Sequence, residues 1–391
     1  MKKILVTAAL LVMSFFLFIP PTSAAPQSEE IAIEEALLDE ISLEGVQSYW
    51  ENLQDSYGSY LPDLEKLSVY EYVKNQDSLS LEKLFQAFVQ YFFHELILNG
   101  KLLGSLLMLT LFSAILQTMH TAFESASVSK IAYFIVYIVL IFIALNSFYL
   151  AVTYTKEAID TMGSFMIALL PLVLGLMATI GGVASVTFFH PMIIFLIHIS
   201  GVIVSALILP LLYLSALLKI VSSLSENYKV THLAELFKQI SMSVLGLFLT
   251  IFLGVVSVQG TVSAIQDGVA LKTAKFVTGN FIPVVGRTFT DAAETIFSAS
   301  LILKNAIGVL GLVIILLIVS FPAIKIAVIS IIYKLAAAVL QPVGDGPVIQ
   351  TLSIISQYIV FILACLLAVS LMFFLAIVII VAASNITLIL R

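Results

Sequence analysis

The residues with the richest chemistry lie between Gly279 and Asn305, in an otherwise apolar part of the chain, where the sequence reads GNFIPVVGRTFTDAAETIFSASLILKN. At about 100° per residue, a helix places the polar side chains of this stretch on one narrow face and apolar side chains opposite them. The polar residues are Arg287, Asp291, Glu294, Ser298 and Asn305, with Lys304 in the same stretch. The apolar residues are Phe289, Ala292, Ile296, Ala299 and Leu303. This stretch is therefore the first candidate for a functional site.

The charges of this stretch need partners, water or headgroups, since a charge at the centre of a bilayer costs about 2.5–3.5 kcal/mol. Arg287 and Asp291 are four residues apart and Asp291 and Glu294 are three apart, so neighbouring side chains can pair along one helix face. Two interpretations stay open. The polar face lines a hydrated path or contacts another subunit, or it faces the lipid headgroups from an interfacial helix.

Turn-forming residues accompany the charges. Proline lacks a backbone donor and glycine permits tight geometry, so we interpret the start of the stretch as a re-entrant turn. Its residues are Gly279, Asn280, Pro283 and Gly286. A second, structural turn follows a helix of small residues, and its residues are Lys334, Gln341, Pro342, Gly344 and Asp345. Spacing allows Asp345 to contact Lys325 or Lys334 but does not decide between them.

The sequence lacks the usual catalytic and metal-binding patterns. It contains no HExxH, Walker-A loop, GxSxG elbow or CxxC pair. His190 and His198 lie eight residues apart, about 80° round a helix, and are expected to be packing residues rather than ligands. Cys365, the single cysteine, lies in an apolar run and is expected to be an inert core residue. We therefore predict no enzymatic activity, no cofactor and no metal site.

The elements that position these residues are predicted to be membrane helices. The chain is 61% hydrophobic and 11% charged, with a mean hydropathy of +1.12, whereas a soluble domain carries roughly 25% charged residues. Apolar runs of this length predict an all-α polytopic membrane protein with about six to seven spans. The runs cover residues 102–122, 131–153, 161–189, 192–218, 241–263, 306–324 and 354–383.

Charge is distributed unevenly along the chain. Residues 1–25 have two lysines, an apolar run and small residues near Ala24, the pattern of a cleaved signal peptide; a retained first transmembrane helix is the alternative. Residues 26–101 hold 15 acidic residues against four lysines, so we predict an acidic extracytoplasmic segment there. Residues 102–391 form the transmembrane, permease-like domain. Because the chain has no basic patch, nucleic-acid binding is not expected.

The acidic segment is predicted to be helical. Its first amphipathic piece runs from Ile31 to Ile41 and continues through an apolar face of Val46, Tyr49, Trp50 and Leu53, until Tyr57-Gly58 breaks the pattern. A second helix is predicted to begin near Ser80. About seventy residues bury only a small core. Their apolar faces are therefore expected to pack on the membrane, on the transmembrane domain or on a partner.

The order of elements suggests a tandem repeat over residues 161–265 and 277–385. Gly163-Ser164-Phe165 and Gly279-Asn280-Phe281 begin the two copies, and each copy continues through an apolar run that ends at a proline, Pro210 or Pro322. Sites of membrane transporters often lie where such repeats meet.

Topology is harder to derive than the number of spans. Lys219, Lys229 and Lys238 indicate a cytoplasmic connector. This agrees with an exported N-terminus if 161–189 is a re-entrant hairpin, broken near Gly175 and Gly181-Gly182. Gly100 and Gly104 form a GxxxG pattern that predicts close helix packing within the monomer.

Taken together, several motifs are similar to those of the stage III sporulation protein AE family of endospore-forming bacteria. They are NFIPVVG at 280–286, D-A-x-E-T at 291–295, L-x-K-N-A-x-G at 302–308 and Y-K-L-A-A-A…Q-P-V-G-D at 333–345. The resemblance implies a mother-cell membrane protein of a multi-protein complex encoded by one operon. That complex joins a forespore-membrane partner and resembles a secretion or feeding channel. A self-contained secondary transporter and a non-conducting scaffold are the alternatives.

Overall fold

The computed structural model describes residues 43–62, 67–74, 81–122, 127–224, 229–281, 285–343 and 346–389, and within these ranges the chain forms helices and no strand. This confirms the predicted all-α class. The helices include a π-helical segment, Ile203–Ile208, and a 3₁₀ turn, Gln341–Val343. The helices are α1 Glu44–Tyr57, α2 Val69–Lys74, α3 Leu81–Leu98, α4 Gly100–Ala122, α5 Ser127–Thr179, α6 Val183–Val202, α7 Leu209–Leu224, α8 Thr231–Phe281, α9 Val285–Leu340 and α10 Pro347–Ile389.

Five helical stretches among the described residues are long and apolar enough to cross a membrane. A sixth crossing is available if α3 and α4, which are bent by 44° at their junction, count as one span. The five or six candidate spans are fewer than or equal to the lower limit of the six to seven predicted, because α5 joins two of the predicted runs. Residues between these runs, such as Lys156 and Glu157, are good helix formers, so the polar interruption does not end the helix.

Both stretches that were interpreted as re-entrant elements belong to long helices. Helix α5 continues through Gly175 to Thr179, and the chain reverses only at residues 180–182. Gly181 makes this reversal with φ of +84°, a conformation that glycine adopts without strain. Helix α9 likewise runs unbroken from Val285 to Leu340, so the charged stretch is its first part. The predicted break at Gly175 is therefore wrong, and the one at Gly181-Gly182 is confirmed.

Hydrogen bonds between the long helices define the two ends of the bundle. The Tyr137 hydroxyl of α5 lies 2.8 Å from Thr351 Oγ1 of α10 and 3.3 Å from Ser223 Oγ of α7. The start of α5, the end of α7 and the start of α10 therefore lie together. We call this the lysine end, because the helix termini that meet there carry Lys130, Lys219, Lys229, Lys238 and Lys334. The opposite end, where α5 turns into α6 and α8 is followed by α9, is the far end.

Helices α9 and α10 form the centre of the bundle, and glycines permit the closest helix contacts. A Cβ placed on Gly308 of α9 would lie 2.5 Å from Val381 Cγ2 of α10, and one on Gly260 of α8 would lie 2.8 Å from Ile379 Cγ2. By contrast, nothing lies within 4 Å of the corresponding positions at Gly100 and Gly104. The prediction that Gly100 and Gly104 pack closely within the monomer is therefore wrong.

The helices of the acidic segment pack on the transmembrane domain. Val46, Trp50 and Leu53 of α1 are buried, as their spacing predicted, and Trp50 Nε1 donates a hydrogen bond of 2.7 Å to the Leu67 carbonyl. Helix α1 contacts α5 and α9, and α3 contacts α9. The transmembrane domain is thus confirmed as one of the three expected coverings, whereas Phe85 and Phe93 of α3 are exposed.

Residues 1–42, with the predicted signal peptide and the amphipathic piece from Ile31 to Ile41, lie outside the described residues. The tandem repeat over 161–265 and 277–385 stays a prediction.

Candidate functional site

A polar site lies where α3 of the acidic segment meets the middle of α5 and α9, and we call it the junction. Lys325 Nζ of α9 lies 3.9 Å from Glu95 Oε1 of α3 and 5.4 Å from the ring centre of Tyr154 of α5. Glu95 is buried and accepts hydrogen bonds from the Tyr91 hydroxyl at 2.8 Å and from Asn99 Nδ2 at 3.2 Å. The carboxylate is therefore held by neighbours one helical turn away on either side.

Aromatic rings close the junction on the side of α1. Tyr57 stacks on Phe321 of α9 at 3.6 Å between ring centres and an interplanar angle of 2°. Tyr91 meets the same ring edge-on at 4.9 Å. Burial, together with the nearby Glu95 carboxylate, raises the pKa of Tyr57 above its usual value. Its hydroxyl therefore stays protonated as a neutral part of the contact.

A cavity of about 550 Å³ opens beside these rings, between α1, α5 and α9. Pro322 lacks the N–H that would bond the Ile318 carbonyl, and both residues line the cavity. Glu157 and Asp160 of α5 lie three residues apart on the facing wall. Such a site can bind a small polar or cationic group. The remaining lining residues are Tyr49, Asn52, Leu53, Ser56, Tyr57, Tyr154, Ala158, Thr161, Ser164 and Lys325.

Lys304, one of the predicted site residues, lies near the far end and is fully buried. Its Nζ donates hydrogen bonds of 3.0 Å to the Val381 carbonyl and 3.0 Å to Asn385 Oδ1, both on α10. Among the described residues, the buried atoms Asn305 Oδ1 and Ser300 Oγ of the same helix have no hydrogen-bond partner. Lys304 therefore ties α9 to α10.

The other predicted site residues are distributed over both ends of the bundle. Ser298 is half-buried on α9, whereas Lys334, Gln341 and Pro342 are exposed at the lysine end. Gly279 and Asn280 close α8, and Gly286 belongs to the first turn of α9. The hydrated path or subunit contact stays a prediction. The side chains of Arg287, Asp291 and Glu294, and residues Pro283, Gly344 and Asp345, lie outside the part of the chain that the structure describes.

Asp267 was missed by the sequence analysis. This buried carboxylate of α8 accepts hydrogen bonds from the backbone N–H groups of Ala184 at 2.8 Å and Ser185 at 3.0 Å, and from the Ser185 hydroxyl. It therefore caps the first turn of α6, where unpaired N–H groups favour an anion. The signal available in the sequence was a lone acidic residue within an apolar run.

The lone histidines and the cysteine differ in burial. Cys365 is buried in α10, as predicted. His190 and His198 are exposed on α6, and their expected role as packing residues rather than ligands stays a prediction. Within the described ranges, no three His, Cys, Asp or Glu side chains are grouped to hold a metal ion.

Comparison with known proteins matches residues 64–384 to the family model described as stage III sporulation protein AE. The chain belongs to this family. A relative, stage III sporulation protein AE of Bacillus subtilis (strain 168), is 49% identical over 367 residues, which cover 94% of this chain and 92% of the relative. No solved structure matches. The matched region includes Glu95, Lys325, Pro322 and Lys304, whereas the α1 residues that line the cavity precede it. Membership and apolar helices together give the chain a role in a membrane during sporulation.

Proposed function

We propose that this chain is a structural or conduit membrane subunit of a channel complex between the mother cell and the forespore, needed for forespore development. The observation that carries the proposal is the junction, where the acidic segment is fixed to the two helices α5 and α9. A segment attached in this way gives partners outside the cytoplasm a rigid surface that is continuous with the membrane helices.

We infer the orientation from α4. Its 23 residues have a length of about 35 Å, enough for one crossing of a bilayer of about 30 Å. Helix α4 begins at the junction and leads to α5 at the lysine end. Lysine-rich connectors favour the cytoplasm, so the lysine end is cytoplasmic and the junction faces the exported side. This placement removes the topological conflict without a re-entrant hairpin, because α5 makes one crossing from two apolar runs.

The surface of α1 supports the same placement. Gly45 approaches Ala168 of α5 and Tyr49 packs on Phe165, so α1 runs beside the part of α5 beyond the junction. Glu44, Glu51 and Asp55 on the outer side of α1 are exposed. Three carboxylates need water, which supports a position of this part of α5 outside the hydrocarbon core. We propose that the acidic side of α1 meets a basic surface of another subunit encoded by the same operon, and that the complex reaches a forespore-membrane partner.

Deletion of the gene in its sporulating host tests the role. We expect engulfed forespores that fail in late forespore gene expression, and complementation by the wild-type gene restores it. Normal late expression in the deletion strain would contradict the proposal. A triple variant, Glu44→Gln, Glu51→Gln and Asp55→Asn, tests the acidic surface, since it removes charge without changing buried groups. Its matched control is Lys334→Gln at the opposite end.

A self-contained secondary transporter is a second candidate, and the cavity at Pro322 favours it. Pro322 leaves the Ile318 carbonyl of α9 without its helical N–H partner beside the cavity, and free backbone carbonyls coordinate coupling ions in such proteins. The purified chain in liposomes would then take up a polar solute by itself, and Asp160→Asn would lower that uptake. Uptake that requires the other subunits would favour the complex instead.

A further inference from the structure

Helix α8 carries an exposed apolar seam that no part of the chain described by the structure covers. Only 28% of its most apolar stretch is buried, against 39–56% in the other four long helices. The seam residues are 42–68% exposed. They are Ile251, Val255, Val258, Val262, Ile265, Val269 and Phe276.

The spacing of the seam is that of a coiled coil. From Ile251 to Val269, successive seam residues are four, three, four, three and four positions apart. The next two positions of this pattern are Lys272 and Phe276, where the seam ends. Apolar residues alternating at these intervals form the a and d positions of a heptad, whose side chains insert between those of a partner helix. Asp267, which caps α6, lies on the opposite side of α8 and leaves the seam free of negative charge.

The flanks of the seam differ from a surface made for lipid. On α5, every exposed residue between 131 and 142 is a large apolar one, namely Ile131, Phe134, Ile135, Ile138, Val139 and Phe142. On α8, the exposed residues beside the seam are small or polar, namely Gly254, Thr261, Gln266, Lys272 and Thr273. Small and hydroxyl side chains favour close helix contacts in membranes.

Lipid also cannot cover the whole length of α8. Its exposed apolar residues extend from Leu233 to Phe276, about 65 Å along the helix, whereas the hydrocarbon core is about 30 Å thick. The helix contains no proline that would bend it sharply. Part of the apolar surface therefore lies beyond the bilayer and needs protein to cover it.

We propose that the seam of α8 binds the same seam of a second copy of this chain. Two copies in one membrane have the same orientation, so their α8 helices run parallel, the arrangement in which a and d residues meet their own equivalents. The seven residues expose on the order of 700 Å² per copy, close to the about 800 Å² per partner of a stable interface. Lys272 is the one charged residue at a seam position, and a single lysine at such a position specifies the register of a coiled coil at some cost in stability. The inference goes beyond the proposed function and does not depend on it.

Cysteine crosslinking in native membranes tests the seam. In a Cys365→Ala background, Val258→Cys and Val262→Cys place a thiol on the seam. Ser257→Cys places a thiol at an exposed position of the same helix outside the seam. Ile135→Cys on α5 is the matched control on a surface of lipid type. On mild oxidation, we expect disulfide-linked dimers at 258 and 262, at a level several-fold above 257 and 135.

Equal crosslinking at all four positions would reflect random collisions and would overturn the proposal. Crosslinks from 258 and 262 to a chain of another mass would also overturn it, in favour of a different protein. The double variant Val258→Ala and Val262→Ala keeps buried residues intact, so we expect a folded chain with a smaller dimer fraction in detergent. The double variant Ile135→Ala and Ile138→Ala should leave the dimer fraction unchanged. A wild-type chain that is monomeric in detergent would contradict the proposed dimer.

Discussion

Single polar side chains hold the far end together. Asp267 and Lys304 are both buried among apolar helices, and each bonds to a helix distant in sequence. Each side chain therefore fixes the relative position of two helices, since removal of either leaves a buried polar partner unsatisfied.

Replacement of Asp267 by alanine should destabilise the chain by about 1–2 kcal/mol, because the first turn of α6 loses its cap. Asp267→Asn keeps an acceptor oxygen and should cost less. Thermal unfolding in detergent measures both variants, with Asp160→Ala at an exposed position as the control. Equal stability of Asp267→Ala and wild type would show that water replaces the carboxylate.

Lys304 and Asn385 should be coupled. In a double-mutant cycle, Lys304→Met and Asn385→Leu each break the bond between the two side chains, so the combined loss of stability should differ from the sum by about 0.5–3 kcal/mol. Unfolding in detergent gives the four free energies. As a control, the losses of stability caused by Lys334→Met, at an exposed position, and by Asn385→Leu should add. Additive losses for Lys304→Met and Asn385→Leu would contradict the coupling.

At the scale of helices, close contacts depend on glycines whose partners are far away in the sequence. Gly308 allows α9 to approach Val381 of α10, whereas Gly100 and Gly104 of α4 have open space. The GxxxG pattern identified the wrong pair because it records spacing within one helix and not the presence of another helix.

Gly308→Ala should destabilise the bundle by about 1–3 kcal/mol, since the new methyl group overlaps Val381 in a packed crossing. Gly104→Ala is the matched control, and it should stabilise the helix by about 0.5–1 kcal/mol because alanine favours helix and no neighbour is displaced. Detergent unfolding compares the two. A stabilising Gly308→Ala would mean that α9 and α10 separate without cost.

Periodicity predicted local structure well, but it did not predict partners. The buried face of α1 and the start of α3 followed from apolar spacing, because a helix segregates side chains by angle alone. The joining of two runs in α5 was missed, since polar residues such as Lys156 interrupt hydropathy without interrupting helical hydrogen bonds. The pairing of Glu95 with Lys325 was also beyond the sequence, because their distance depends on how α3 packs on α9.

At the scale of the whole molecule, the long helices exceed one bilayer. The five candidate spans contain 37–49 residues each, and α4 contains 23. The placement proposed from α4 leaves the far end outside the membrane on the exported side.

Labelling with a membrane-impermeant maleimide tests this placement in a Cys365→Ala background. From the exported side, we expect labelling of Asp160→Cys at the junction and His190→Cys near the far end, both at exposed positions. Lys334→Cys at the lysine end should react only after permeabilisation, and Ile135→Cys should be protected from the reagent in lipid. Labelling of Lys334→Cys but not Asp160→Cys in intact cells would reverse the orientation.

The stacking of Tyr57 on Phe321 has a consequence for biogenesis. The ribosome makes about 260 further residues between these two rings, which takes roughly 15–50 s at 5–20 residues per second. During that time the apolar face of α1 has left the ribosome, whereas the part of α9 on which it packs has not yet been made. Helix α1 is therefore among the first described elements to be made and among the last to reach its native contacts, and its apolar face stays uncovered by α9 until then.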